Sequence, residues 1–170
     1  MSNQNRQPET VYLALGSNLG DRTAMIQQAI QAIREIPDTK VHDISTVRET
    51  APEGVSDAQQ NYLNGVIRVE TELPPVDFLE KLQIIERRFG RATKGDMKSR
   101  PIDLDVLSYG SAAFIGKNLV IPHPRMQGRR FVLEPLVEIA PDWLHPKLNK
   151  TAKQLLEELN ATAGAPHPGV

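Results

Sequence analysis

Residues 102–106 alternate strictly between aliphatic and acidic side chains, and in an extended segment successive side chains leave from opposite faces. Ile102, Leu104 and Val106 therefore share a face turned to a core, and Asp103 and Asp105 share the other. With a rise of ~3.3 Å per residue, alternate Cα atoms stand ~6.6 Å apart. From that separation flexible carboxylates can converge on a metal pair spaced ~3.5–4 Å. An isolated Asp-x-Asp is more often two solvated acids on an amphipathic strand, so the assignment depends on what surrounds it.

The rest of the chain supplies partners for this strand. Val11, Leu13 and Leu15 alternate before Gly16, which reads as a strand ending at a turn. Asp21 is placed to cap a helix whose Ile26, Ala29, Ile30 and Ile33 recur at helical spacing, with Pro37 stopping it. Residues 40–48 carry a weaker extended pattern, and Glu49 to Asn61 reads as a loop. Tyr62 to Thr71 is a strand with Leu63, Ile67 and Val69 on one face and Tyr62, Asn64, Val66 and Arg68 on the other. Pro75 opens a second helix carrying Phe78, Leu82, Ile85 and Phe89 on one stripe, with Gly90 beyond its end. Gly110 to Gly116 turns the chain back after the acidic strand. Phe131 to Ile139 reads as a short helix interrupted by Pro135, and Thr151 with Gln154 has the spacing of a capping box.

The order β-α-β-β-α-β followed by further helices predicts an α+β fold, a ferredoxin-like sandwich with a mainly antiparallel sheet under helices. A single domain over residues 10–160 is expected, with loose tails over 1–9 and 161–170; a chain of 170 residues buries enough surface for one core. Cysteine is absent, which excludes disulfides, thiolate metal sites and a Cys nucleophile and fits a reducing compartment, the cytoplasm by default. No window resembles a membrane span, and a net charge of −1 gives no global attraction to nucleic acid or anionic lipid. A monomer is the default for such a domain. Residues 16–20, Gly-Ser-Asn-Leu-Gly, lack the glycine pattern of a P-loop or a dinucleotide fingerprint. Any phosphate has to be held by metal and arginine.

Local charge meets that requirement. A nucleoside triphosphate of charge about −4, two Mg²⁺ ions and two aspartates leave about −2 to be neutralised. Arg91, Lys94 and Arg100 precede the aspartates, and His123, Arg125, Arg129 and Arg130 follow them. Arginine offers a planar fork to phosphate oxygens and keeps its charge at any working pH. Taken alone, each of these residues is more often a solvated surface charge, and it is their conjunction around one carboxylate strand that points to phosphate. His123 lies between Pro122 and Pro124, which stiffen the backbone around its imidazole. Tyr62 and Phe131 are two of only eight aromatic residues; such rings can sandwich a flat heterocycle or simply fill a core. Asn64 projects beside Tyr62 and offers both a donor and an acceptor to a pyrimidinone-like edge. Phe78, Phe89 and Trp143 read as packing residues.

Taken in order, these motifs resemble the 6-hydroxymethyl-7,8-dihydropterin pyrophosphokinase family over about residues 10–160. The resemblance rests on Leu15 to Asp21, Glu49-Thr50-Ala51-Pro52, Tyr62-Leu63-Asn64, Glu86 with Gly90-Arg91, Arg100 to Asp105, Pro122 to Met126 and Arg129 to Leu136. It implies transfer of diphosphate from ATP to a pterin alcohol in folate biosynthesis, with ATP as co-substrate and two Mg²⁺ ions on Asp103 and Asp105. Arg91 and Arg100 would act with these aspartates in catalysis. Gln83, Glu86, Lys94, Arg100, His123 and Arg129 would contact nucleotide. Tyr62 and Phe131 would sandwich the pterin, with Asn64, Thr50, Ala51 and Pro52 reading its edge.

The chain departs from the family pattern over residues 92–99, where the Trp-Gly-Pro-Arg entry to the metal strand is missing and Lys94 and Lys98 stand in for lost charge. Pro124 also stands where some relatives have tyrosine. The altered loop motivates a competing reading as a non-catalytic pterin- or nucleotide-binding module, or a paralogue acting on a related pterin. A ferredoxin-like RNA-binding module is a third class, opposed by the absence of a paired aromatic RNP pattern and by the slightly negative charge.

Overall fold

Alternation in β1 (Glu9–Ser17) sends Val11, Leu13 and Leu15 to one face, where all three are buried. The computed structural model describes residues 6–51, 61–90 and 101–164. The strand runs on through Gly16 and Ser17, so Gly16 is an in-strand residue and not the turn that the pattern predicts.

β1 pairs antiparallel on one side with β4 (Tyr62–Thr71) and on the other with β5 (Asp103–Tyr109). On the far side of β4 lie β2 (Thr39–Ile44), paired with its carboxyl half, and β3 (Arg48–Thr50), paired with Tyr62 to Asn64. The strand order β2-β4-β1-β5 is that of the expected ferredoxin-like sheet. β3 corrects the loop predicted from Glu49 onward. It is short and polar, with no periodicity of its own, and exists because β4 offers it a paired edge.

α1 (Arg22–Arg34) and α2 (Pro75–Arg88) pack on the face carrying Leu13, Leu15, Ile67, Val69, Leu104 and Val106. The Asp21 carboxylate caps α1 by accepting from Ala24 N at 3.1 Å. Pro75 occupies the first turn of α2, where a missing N–H costs nothing. Phe78, Leu82, Ile102 and Leu104 are fully buried, and each such side chain contributes about 1.5–3 kcal/mol relative to exposure.

A second apolar cluster lies on the opposite face of the sheet. Tyr12, Val66 and Leu107 meet Met126, Val132, Leu136 and Ala152 from α3 (Arg130–Ile139), α4 (Ala152–Gly164) and the 3-10 turn before α3. Both faces of β4 are therefore covered in part, which is why its Tyr62–Arg68 face is not simply polar. α3 continues through Pro135, contrary to the expected interruption. A proline there removes one intrahelical bond, and burial of Val132, Leu133 and Leu136 holds the helix together. The Thr151–Gln154 capping box is present in both directions, at 3.1 Å and 2.9 Å. α4 also extends to Gly164, beyond the tail boundary expected at 160, with Thr162 Oγ1 donating to Glu158 O at 3.0 Å. Trp143 packs edge-on to Tyr12, as a packing residue should. β6 (Phe114–Ile115) and β7 (Val120–Ile121) form a small hairpin beyond β5.

Candidate active site

Register determines which side chains meet. Residues directly opposite one another in antiparallel strands share a face. Arg48 stands opposite Asn64, Asn64 opposite Gly16, and Gly16 opposite Asp103, forming one row across β3, β4, β1 and β5. The next row on the same face runs from Val66 through Ala14 to Asp105. Thr50 stands opposite Tyr62, two residues along from the first row. Asp103, Asp105, Asn64, Tyr62 and Thr50 thus share the face on which α3 packs. Two strand spacings of ~4.8 Å put the Asp103 and Asn64 backbones about 9–10 Å apart.

Gly16 joins the two groups. A Cβ at this position would lie 3.1 Å from Asn64 Oδ1 and 3.6 Å from Tyr62 Cδ1. The missing side chain keeps a shallow floor open between Asn64 and the carboxylates. Sequence reasoning missed this role, although a glycine within a strand signals close approach of another group.

Asn64 is buried, and its Nδ2 donates to Thr50 Oγ1. That bond fixes the amide plane and leaves Oδ1 as the acceptor on the Gly16 side. Thr50, Ala51 and Phe131 line one cavity of about 250 Å³, together with Arg48, Arg130 and Glu134. Arg129, at the amino end of α3, lays its guanidinium carbon 5.5 Å from the Phe131 ring centre. A ring expected to stack on the heterocycle thus adjoins an arginine expected to contact phosphate.

Asp103 and Asp105 are half-buried, with Ile102 and Leu104 fully buried beneath them. Among the described residues no group of three or more His, Cys, Asp or Glu side chains converges on a metal position. A pair of hard carboxylate oxygens suits Mg²⁺, which keeps waters and takes further oxygens from substrate phosphates. The donor set therefore fits the ion implied by the sequence.

Glu86 is buried on the opposite face, and its Oε2 accepts from Leu104 N at 3.0 Å, between the two aspartates in sequence. Gln83 is half-buried one turn earlier on α2. The structure thus sets Glu86 behind β5 and off the carboxylate row. His123 follows a cis Ile121–Pro122 bond, and its N–H donates to Leu107 O at 2.9 Å, which docks the segment beside β5. Its Nδ1 accepts from Arg125 N at 3.2 Å, so in the neutral ring the proton sits on Nε2. Arg91, Lys94, Arg100 and Pro52 lie outside the described residues.

Arg48 is a lining residue that the sequence did not single out, since a lone arginine in a weak extended segment has no visible register. Its Nη2 lies 3.0 Å from Glu138 Oε2 on α3. Glu138 also accepts from Thr46 Oγ1 at 2.7 Å and Thr46 N at 2.9 Å. The Thr46 hydroxyl and backbone bonds, with Arg48 beside them, hold the Glu138 carboxyl below the usual carboxylate value. This cluster pins α3 to β3 and to the residues just before it.

Known proteins resemble this chain over most of its length. The family model described as 7,8-dihydro-6-hydroxymethylpterin-pyrophosphokinase (HPPK) matches residues 12–141. The 2-amino-4-hydroxy-6-hydroxymethyldihydropteridine pyrophosphokinase of Synechocystis is 37% identical over 158 residues, covering 93% of this chain and 80% of the relative. The protein of the same name from Aquifex aeolicus is 38% identical, covering 88% of this chain and 91% of the relative. Folic acid synthesis protein fol1 of Schizosaccharomyces pombe is 37% identical across 87% of this chain, but the chain spans only 20% of that relative's length. Among solved structures, Plasmodium falciparum HPPK-DHPS superposes with a TM-score of 0.74 at 16% identity, over 92% of this chain and 45% of that one. The last likeness bears on the fold alone.

Proposed function

The chain belongs to the 7,8-dihydro-6-hydroxymethylpterin-pyrophosphokinase family, and from that membership and its own geometry we propose that it transfers diphosphate from ATP to the hydroxymethyl group of 6-hydroxymethyl-7,8-dihydropterin. The products are the pterin diphosphate and AMP, a step of folate biosynthesis. The observation that carries this reading is the row from Asn64 across Gly16 to Asp103, which puts a side-chain amide and one of the two neighbouring carboxylates on the same face of the sheet.

In this reading the ring lies between Tyr62 and Phe131, with Asn64, Thr50, Ala51 and Pro52 at its edge. A flat ring stacked on each aromatic gains about 0.5–1.5 kcal/mol beyond its buried area. Its alcohol arm then extends over Gly16 toward Asp103 and Asp105. The hydroxyl oxygen attacks the β-phosphorus of ATP and a new P–O bond forms as the hydroxyl proton passes to water; the bond to the α,β-bridging oxygen breaks, and AMP leaves with that oxygen and the bonding pair. Asp103 and Asp105 would hold two Mg²⁺ ions, whose chemistry is to neutralise triphosphate charge and fix the transferring group. Arg91, Arg100 and Arg129 would offset charge that develops on that group, and His123 would offer Nε2–H to a phosphate oxygen. Gln83, Glu86 and Lys94 complete the proposed nucleotide-binding set, Glu86 by holding the Asp103–Asp105 strand through Leu104 N. Holding the hydroxyl in line with phosphorus supplies most of the rate, because such transfers ask for little covalent chemistry from the protein.

A cytoplasmic monomer accompanies this proposal. Among the described residues no helix is long and apolar enough to cross a membrane, and the cysteine-free chain suits a reducing compartment. Incubation with MgATP and the hydroxymethyl dihydropterin, followed by chromatography for AMP and pterin diphosphate, tests the activity. Absence of pterin-dependent AMP defeats it.

A further inference from the structure

We propose that Arg48 is an additional substrate-recognising residue, donating through Nη1 to a neutral acceptor atom of the heterocycle while Glu138 holds the other end of its guanidinium. The inference rests on the pterin-pocket reading above and extends it to a residue outside the family motifs. Arg48 stands opposite Asn64 in the sheet, so it leaves the same face at the end of the row farthest from Asp103. Its side chain lines the cavity shared by Thr50, Ala51 and Phe131.

The hydrogen bonds of this guanidinium are incomplete. Nη2 is engaged by Glu138 at 3.0 Å. Nη1 is shielded from solvent and has no hydrogen-bond partner among the described residues. A shielded charged donor without an acceptor is unfavourable, and a long side chain at an open surface would swing its N–H groups into water. Here the Glu138 carboxylate resists that swing, because it is itself tied to Thr46 through two hydrogen bonds. The rest of the Arg48 side chain lines the cavity, and Nη1 lies just behind that wall, where a turn of the guanidinium about its bond to Glu138 brings it to a ligand.

Charge selects the kind of ligand atom. Glu138 neutralises Arg48, so the pair carries no net charge with which to draw a phosphate. A ring carbonyl or an unprotonated ring nitrogen suits it: each accepts one hydrogen bond and brings no charge to desolvate. The ring edge turned away from the alcohol arm is the edge this donor would read.

Calorimetric titration of the pterin, in the presence of Mg²⁺ and a nonhydrolysable ATP analogue, tests this on the full chain. Arg48→Met keeps the stem and removes every donor. It should weaken pterin binding about ten- to hundredfold, the range for losing a hydrogen bond to a charged group. Nucleotide affinity should stay within about twofold. Arg48→Lys keeps the charge but has no second nitrogen to span Glu138 and ligand, and should lose affinity by a similar factor. Pterin analogues lacking one acceptor at a time give a readout that lost packing would not move. One analogue should bind less well to the native protein yet equally well to native protein and Arg48→Met. Native-like pterin affinity in both variants, or no analogue that shows this coupling, overturns the role of Arg48. If the native protein binds none of the pterins, the pocket reading itself falls, and the same titration separates the two failures.

Discussion

Gly16 faces Asn64 across the β1–β4 pair so closely that a methyl group on Gly16 would sit 3.1 Å from Asn64 Oδ1. Asn64 has little freedom to retreat, because its Nδ2 is bonded to Thr50 Oγ1. Gly16→Ala should therefore push the amide out of its plane at a cost of about 1–3 kcal/mol, the range for overpacking a filled site. We expect weaker pterin binding with nucleotide affinity retained, measured by titrating each ligand. Equal pterin affinity in the two proteins would remove Gly16 from the floor of the site.

Asp103→Asn and Asp105→Asn preserve shape and remove charge from half-buried positions, so the fold should tolerate them. By analogy with losing a preorganised electrostatic group, each should cost about 3–4 kcal/mol of transition-state stabilisation, or 10²–10³ in kcat/KM. Raising the Mg²⁺ concentration should recover part of the rate if the carboxylates bind the metal. Near-native turnover in either purified variant is the outcome that contradicts the assignment.

Glu86 is tied to the strand between those aspartates through the 3.0 Å bond from Leu104 N. Glu86→Ala leaves that buried N–H without this acceptor and should destabilise the protein by about 1–3 kcal/mol in urea titration. Turnover should fall as well at temperatures where the variant is fully folded, because Asp103 and Asp105 flank the loosened peptide. A stability within about 0.5 kcal/mol of native, the range of neutral surface substitutions, would mean that Leu104 N finds another partner easily.

Acid should destabilise the fold through His145. Burial, and to a lesser extent the charge of Lys147, push its pKa below the ordinary 6.5. Its Nδ1 already accepts from Lys147 N and Leu148 N, both at 3.1 Å, which only a ring unprotonated at that nitrogen can do. As pH falls through about 6.5 the unfolded chain takes up this proton first, so the unfolded state binds more protons and stability declines until the lowered folded pKa is passed. His145→Asn retains a side-chain acceptor without titrating, and should flatten that part of the stability profile. A pH slope equal to that of the native chain would assign the effect to other groups.

Period-two alternation was enough to place β1, β4 and β5, and helical spacing with Asp21, Pro75 and the Thr151–Gln154 pair was enough for α1, α2 and the start of α4. These features are local, since a side chain's face and a helix cap depend on residues within one turn or two strand positions. The pairing of Asp103 with Asp105 on one face was legible for the same reason. The sequence alone could not show that Arg48 would stand opposite Asn64, or that Gly16 would lie within a strand between Asn64 and Asp103. β3, the uninterrupted α3 and the burial of Glu86 beneath Leu104 were equally hidden. Each depends on strand register or on packing between segments distant in sequence, and those contacts form only when the whole sheet closes, so that tertiary structure chose among arrangements that local chemistry leaves equivalent.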